Sequence, residues 1–267
     1  MNLKKLSNKL RFSIISISSK TKSPHLASSL SCIDIVATIY EKILKINNKK
    51  KNNNLRDRFI LSKGHAASAL YVTLEHKKII KKSQLNSYKK FGSLLEEHPS
   101  PKLSGVEAAT GSLGHGLSIG CGIALSSKIK KKKFMTYVLM SDGECNEGSV
   151  WEAVLFASSK KLNNLCAIVD YNKWQATGRS NEIFKLGSLS KKFHQFGWNV
   201  FEINGHDHNS IVKACKSARR EKNKPTMIIA NTIKGKGVSF MEDDNNWHYR
   251  IPTEHEVKLS KEELEIL

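Results

Sequence analysis

The 267-residue sequence has no CxxC pair, no proline- or serine-rich stretch, no internal repeat, and no apolar run near the roughly 20 residues that span a bilayer. Its five cysteines, Cys32, Cys121, Cys145, Cys166 and Cys215, are odd in number and widely spaced. That spacing excludes a disulfide framework and a cysteine-based zinc site, and it points to a reducing compartment. Arginine is scarce: only seven of the 44 basic residues, the other 37 being lysine. With 7% aromatic residues as well, the bidentate and stacking contacts that grip nucleic acid have few side chains to draw on. The length suits one large α/β domain or two small ones, and 39% hydrophobic residues supply a core and exclude disorder.

What is abundant is lysine. The formal charge is +20, but the lysines run along the whole chain among many asparagines and isoleucines, the signature of an A/T-rich coding sequence. The densest runs, 47–54 (NNKKKNNN) and 128–133 (KIKKKK), read as solvated connections. At the N-terminus, Leu3, Leu6, Leu10, Ile14 and Ile17 recur every three to four residues. They predict an amphipathic helix, and no small-residue cleavage site follows as a secretory leader would require. A cytoplasmic protein without nucleic acid or membrane as partner is expected.

Strand and helix patterns alternate along the rest. A second helix is expected over Ile33–Ile46, and a short strand over Phe59–Leu61 followed by a helix from Ala66 to His76. Met135–Met140 reads as a buried strand, Ser149–Lys161 as a helix and Leu165–Asp170 as a strand. Val200–Ile203 is a further strand, Ser210–Arg220 a helix and Thr226–Asn231 a last strand. Such alternation predicts a parallel sheet with helices on both faces, whose ligands bind beyond the carboxyl ends of the strands.

The unusual residues fall at those ends. Asp142 follows MTYVLM on a turn that Gly143 permits, and Asn172 follows LCAIVD thirty positions later. A carboxylate and an amide oxygen on neighbouring strand ends can share a hard cation, magnesium or calcium rather than zinc, completed by phosphate oxygens. Read alone, Asp142 could equally open a turn or cap a helix. Glu147 and Glu152 admit the same alternative, since Ser149 and Glu152 have capping-box spacing. Gly111, Gly114, Gly116, Gly120 and Gly122 crowd twelve positions without matching the dinucleotide GxGxxG spacing. The first two suit a close ligand or a tight turn, and Gly116 and Gly120 a helix face small enough for close packing. His25, His65, His98, His115, His206 and His248 lie in loops or at element ends, placed for hydrogen bonding or proton transfer rather than for a helical metal pair.

Taken together, SPHLASSLSCIDI, RDRFILSKGH, HPSPKLSGVEAATGSLGHG, SDGECNEGSVWEA, DYNKWQATG, NGHDHNSI and KPTMIIANTIKGKGVSF resemble the cofactor-binding half of transketolases, in the same order and over residues 5 to 255. The resemblance implies the thiamine diphosphate-binding (diphosphate-type) fold as a single domain over residues 1–267. It also implies that Asp142, Asn172 and the carbonyl of Trp174 hold Mg2+, with Ca2+ or Mn2+ as substitutes. His65, Gly111, Ser112, Leu113, Gly143, Asn172 and His248 would contact the cofactor. His25, His98 and His248 would line the sugar channel, and Glu147 and Glu152 would lie between the two active sites of a dimer.

Several positions depart from the family pattern. Ser141 stands for the glycine before the aspartate, Ser112 for a proline, Pro24 for the glycine before His25, and His115 for a common glutamine. The chain also carries no match to the family's pyrimidine-binding and C-terminal domains, which supply the glutamate that activates the cofactor. The resemblance therefore implies one subunit of a split transketolase, assembled as α2β2 with a C-terminal partner. It would move a two-carbon ketol unit from a ketose phosphate to an aldose phosphate in the pentose phosphate pathway. The alternatives are the α subunit of a 2-oxo acid dehydrogenase, a non-catalytic remnant, and a split enzyme using another two-carbon donor.

Overall fold

The computed structural model describes residues 2–46 and 55–266, so the basic run at 47–54 lies outside the described residues. Five strands, β1 (Arg58–Leu61), β2 (Thr136–Ser141), β3 (Leu165–Tyr171), β4 (Asn199–Asn204) and β5 (Thr226–Asn231), form one parallel sheet in the order β1-β2-β3-β5-β4. Helices α1 (Leu3–Thr21), α2 (Leu26–Thr38) and α3 (Ala67–His76) precede β2, together with the single turn α4 (Lys82–Leu85) and then α5 (Gly116–Ile129). After β2 come α6 (Gly148–Ser159), the short α7 (Ser180–Ile183), α8 (Leu189–Gln195), α9 (His208–Arg220) and α10 (Glu254–Glu263).

Side-chain alternation along the strands divides the core in two. Phe59, Leu61, Tyr137, Leu139, Ile168 and Ile228 point into the layer formed by α1, α2, α3 and α9. Ile60, Val138, Met140, Ala167, Val169 and Ile229 point the other way, toward α5, α6 and α8. With both faces covered, β2 is buried at all six positions, which is why it reads as an unbroken apolar run rather than an alternating one. The small face expected at Gly116 and Gly120 is real: a Cβ at Gly120 would stand 2.5 Å from Val138 Cγ2, so α5 lies directly on β2. Lys130 to Lys133 are exposed beyond the end of α5, as a solvated connection should be.

The second helix departs from its expected position. It starts at Leu26, not Ile33, ends at Thr38 and widens into a π-helical turn over Ile39–Ile43, after which Leu44 is extended. All thirteen residues of α2 are buried, so it has no polar face to give a helical period. Its serines bond inward, Ser31 Oγ donating to Asp170 at 2.5 Å. Helices α8 and α10 add elements that the pattern did not predict; α10 is opened by a capping box between Thr253 and Glu256. All five cysteines are free and buried. No helix among the described residues is long and apolar enough to cross a membrane.

Candidate active site

The site collects at the carboxyl ends of four strands. Ser62 to His65 follow β1, Asp142 and Gly143 follow β2, Asn172 and Trp174 follow β3, and Thr232 to Lys234 follow β5. Because Ser141 pairs with Asp170 in register, Asp142 and Asn172 leave adjacent strands side by side.

Asp170 anchors the floor. Fully buried, it accepts from the equally buried ammonium of Lys63, from Ser31 Oγ at 2.5 Å and from Thr232 Oγ1 at 2.5 Å. Asn172 Nδ2 is held inward, 3.4 Å from Asp170 Oδ2 and 3.3 Å from Ser31 Oγ, which turns Oδ1 outward to accept from the Trp174 amide at 3.0 Å. Asp142 is only 3% exposed. Its Oδ2 accepts from Ser180 Oγ at 2.8 Å, while Oδ1 is buried with no partner. Burial pushes its carboxyl up to about 6. An unmatched carboxylate oxygen and an amide oxygen turned outward at adjacent strand ends are the donor set of a hard cation, so these residues fit Mg2+.

Above this floor four histidines converge. The ring centroid of His25 lies 5.0 Å from that of His248, 5.5 Å from His65 and 6.5 Å from His98. His25 takes a left-handed backbone, φ 63°, at the start of α2, and its amide donates to the His248 carbonyl at 2.7 Å. Burial is the main cause that lowers His25, holds His65 well below the usual imidazole range and takes His248 down to about 3; the neighbouring cations and imidazoles add to it. These three are therefore neutral at physiological pH. His98 is exposed at the rim, packed so closely on the Gly111 backbone that a Cβ there would stand 2.7 Å from its ring.

Lys234 completes the constellation. It is buried, its Nζ donates to Asn245 Oδ1 at 2.6 Å and sits 3.0 Å from His248 Nδ1, and burial lowers it to about 8. An ammonium can only donate, so Nδ1 of His248 accepts and the ring proton sits on Nε2. The pocket thus presents one unmatched carboxylate oxygen, two buried ammonium groups and neutral imidazoles, an arrangement suited to a cation–phosphate pair and proton transfer beside it.

The glycine-rich loop is tied to the same floor by a residue the sequence did not single out. Glu144, fully buried, accepts from the Gly114 amide at 2.9 Å, from the Ser141 amide at 3.3 Å and from Ser62 Oγ. His115 faces the carbonyls of Ser112 and Leu113 at 3.3 and 3.1 Å. Lys63, Ser180 and Lys234 were missed as well. The signal for the lysines, a basic residue two or three positions after a strand, was hidden by the 35 other lysines of the chain. Glu147 and Glu152 are both exposed, at the start of α6 and on it, and are not brought into the histidine cluster within one chain. His206 is also outside the cluster, bonded to Asp34 at 2.8 Å beneath α2.

Residues 3–266 match the family model described as transketolase, thiamine diphosphate binding domain. The chain belongs to this family. It is 41% identical over 247 residues to one of the subunits of the apulose-4-phosphate transketolase of Phocaeicola vulgatus, covering 92% of this chain and 88% of that protein. It is 39% identical over 242 residues to a 6-deoxy-6-sulfo-D-fructose transketolase subunit of a Clostridium species, covering 90% and 88%. Against the longer human transketolase it is 38% identical but spans only 39% of that protein's length. The crystal structure of Campylobacter jejuni transketolase superposes with a TM-score of 0.94 at 31% identity, over 99% of this chain and 43% of that one. This chain is thus a transketolase-type enzyme component with the diphosphate-binding fold, and the parallel sheet expected from the sequence is the family's own.

Proposed function

We propose that this chain is the N-terminal subunit of a split transketolase, a single thiamine diphosphate-binding domain that moves a two-carbon ketol unit between phosphorylated sugars only with a C-terminal partner subunit. The observation that carries the reading is the unmatched Asp142 Oδ1 at the strand end next to that of Asn172, in one site with Lys234, which bridges to the histidine cluster through His248. The relatives named as subunits, which the chain matches over 88% of their length, support the split arrangement.

Thiamine diphosphate, when bound, supplies a thiazolium carbon that serves as nucleophile and electron sink for breaking the bond next to a ketose carbonyl. Asp142, Asn172 and the Trp174 carbonyl would hold Mg2+ against its diphosphate. Gly143, His65 and the loop Gly111 to Leu113 would seat the cofactor, with the ammonium groups of Lys63 and Lys234 offsetting its charge. His248, its proton on Nε2, would donate to a sugar oxygen. His25 and His98 would take and return protons at the sugar hydroxyls.

Glu152 shares the exposed face of α6 with Leu155 and Phe156, 54% and 40% exposed, and Ile119 of α5 is exposed as well. That apolar surface supports a subunit contact there, with Glu147 and Glu152 between paired sites in an α2β2 assembly. A cytoplasmic location and a place in the pentose phosphate pathway belong to the same reading. The test is two-carbon transfer from xylulose phosphate to ribose phosphate by the chain alone and co-expressed with its neighbouring open reading frame, with thiamine diphosphate and Mg2+. Transfer only in the co-expressed sample, lost in Asp142→Ala, is expected. A second reading, a different two-carbon donor, is favoured by the names of the relatives. Apulose 4-phosphate and 6-deoxy-6-sulfofructose therefore join the donor panel, and transfer from one of them alone would replace the pentose phosphate assignment.

A further inference from the structure

Beside the unmatched acceptor of Asp142 stands an unmatched donor. Gln175 Nε2 is buried and has no hydrogen-bond partner among the described residues. The side chain lies against the Gly143 peptide: a Cβ on Gly143 would stand 3.1 Å from Gln175 Cγ and 3.4 Å from Cδ. It cannot readily swing away, because the loop that bears it is closed on both sides. The Gln175 amide donates to the Gly178 carbonyl at 2.8 Å, the Ser180 amide donates to the Lys173 carbonyl at 3.0 Å, and Trp174 and Arg179 form a bridge with the Arg179 guanidinium 3.8 Å above the indole. Lys234 Nζ also reaches the Gln175 carbonyl, at 3.5 Å.

Burying an amide N–H without a partner is unfavourable, and a methionine would fill the same space without that cost. The donor and the Asp142 acceptor flank one residue, Gly143, yet do not satisfy each other. A phosphate oxygen paired with a cation would satisfy both at once. We propose that Gln175 is a positioning residue that donates its Nε2–H to an oxygen of the Mg2+–diphosphate head group, fixing how tightly that group seats over Gly143. This inference rests on the proposed thiamine diphosphate site and adds to it a donor from a side chain.

The test is calorimetric titration of the full chain, with saturating Mg2+, by thiamine diphosphate and separately by inorganic pyrophosphate, alongside thermal melting of the unliganded chain. Gln175→Met is expected to weaken both ligands by the same factor, roughly 10- to 100-fold for a bond to a charged acceptor, while the unliganded melting temperature stays level or rises. Gln175→Glu, of the same shape but repelling phosphate, is expected to weaken both further. Unchanged affinities in Gln175→Met would overturn the inference, as would a loss confined to thiamine diphosphate, or a melting temperature that falls in the unliganded chain. If the unsubstituted chain binds neither ligand alone, the same titrations are made on its complex with the C-terminal partner, and absence of binding there overturns the proposed cofactor and this inference with it.

Discussion

Replacing Asp142 by asparagine should disable the site and stabilise the empty chain. The carboxyl is buried and raised to about 6 from an ordinary 3.8. A raised carboxyl binds its proton more tightly folded than unfolded, so its contribution favours folding below about pH 4. That contribution is lost as the pH climbs toward 6, and above both values the full penalty remains, about 3 kcal/mol at 1.36 kcal/mol per pH unit. Asp142→Asn removes the charge and keeps an oxygen that can accept from Ser180, as Asp142 does at 2.8 Å. Allowing about 1 kcal/mol for the weaker neutral hydrogen bond, the expected net gain at pH 7.5 is about 2 kcal/mol, or roughly 4 °C in melting temperature for a chain of this size. The assay is thermal unfolding in chelator at pH 7.5 and at pH 4.5, then with thiamine diphosphate and Mg2+. The gain should shrink at the lower pH, and ligand should stabilise only the unsubstituted chain, reversing the order. An asparagine variant that melts lower at pH 7.5, or gains equally at both pH values, would refute the argument.

Other perturbations probe the rest of the site. Lys63→Met should strand the fully buried Asp170 carboxylate and cost about 3–5 kcal/mol in chemical denaturation; adding Asp170→Leu should recover much of it. Lys234→Met removes both the donor to His248 Nδ1 and a nearby positive charge, so the imidazole should titrate closer to its ordinary 6.5. Its resonance followed by NMR should move upward from about 3, and a pH profile level near neutrality should acquire an acid limb. Phe156→Asp places a charge on the exposed apolar face of α6. In sedimentation it should weaken capture of the C-terminal partner tenfold or more, while leaving the melting temperature of this chain within about 2 °C.

The parallel sheet was legible because its strands are buried on both faces and separated by helical periods, and each predicted strand lies within a residue of an observed one. Asp142 and Asn172 were legible for the same reason, since a polar residue directly after an apolar run marks a strand end. The start of α2 was not, because a helix buried on every side loses the amphipathic period by which helices are read. Glu144 and Ser180 were hidden differently: their work is long-range, to Gly114 and to Asp142, and nothing in local spacing announces it. Lys63 and Lys234 were concealed by composition. In a chain with +20 net charge, the two lysines folded inward look no different from those facing water.

Among the described residues three neutral groups away from the site, Ser7 Oγ, Thr136 Oγ1 and Asn164 Oδ1, also lack partners, but Asp142 carries the one unmatched carboxylate oxygen. Elsewhere the fold's buried charges are fully partnered: Asp34 with Arg11 and His206, and Asp57 with Arg219 and the amides of Lys45 and Met135. Asp170, one strand pair below the candidate metal position, accepts from a lysine and two hydroxyls. A fold able to satisfy a carboxylate that thoroughly leaves Asp142 Oδ1 and Gln175 Nε2 without partners on either side of Gly143. A buried donor and a buried acceptor left apart each cost free energy, and holding them apart requires the loop between Asn172 and Ser180 to be pinned by its own bridge. Pre-organisation of this kind lowers the free energy of ordering when a ligand arrives. It also places the instability where a cation and a diphosphate would remove it, so cofactor binding and stability of this chain should rise and fall together.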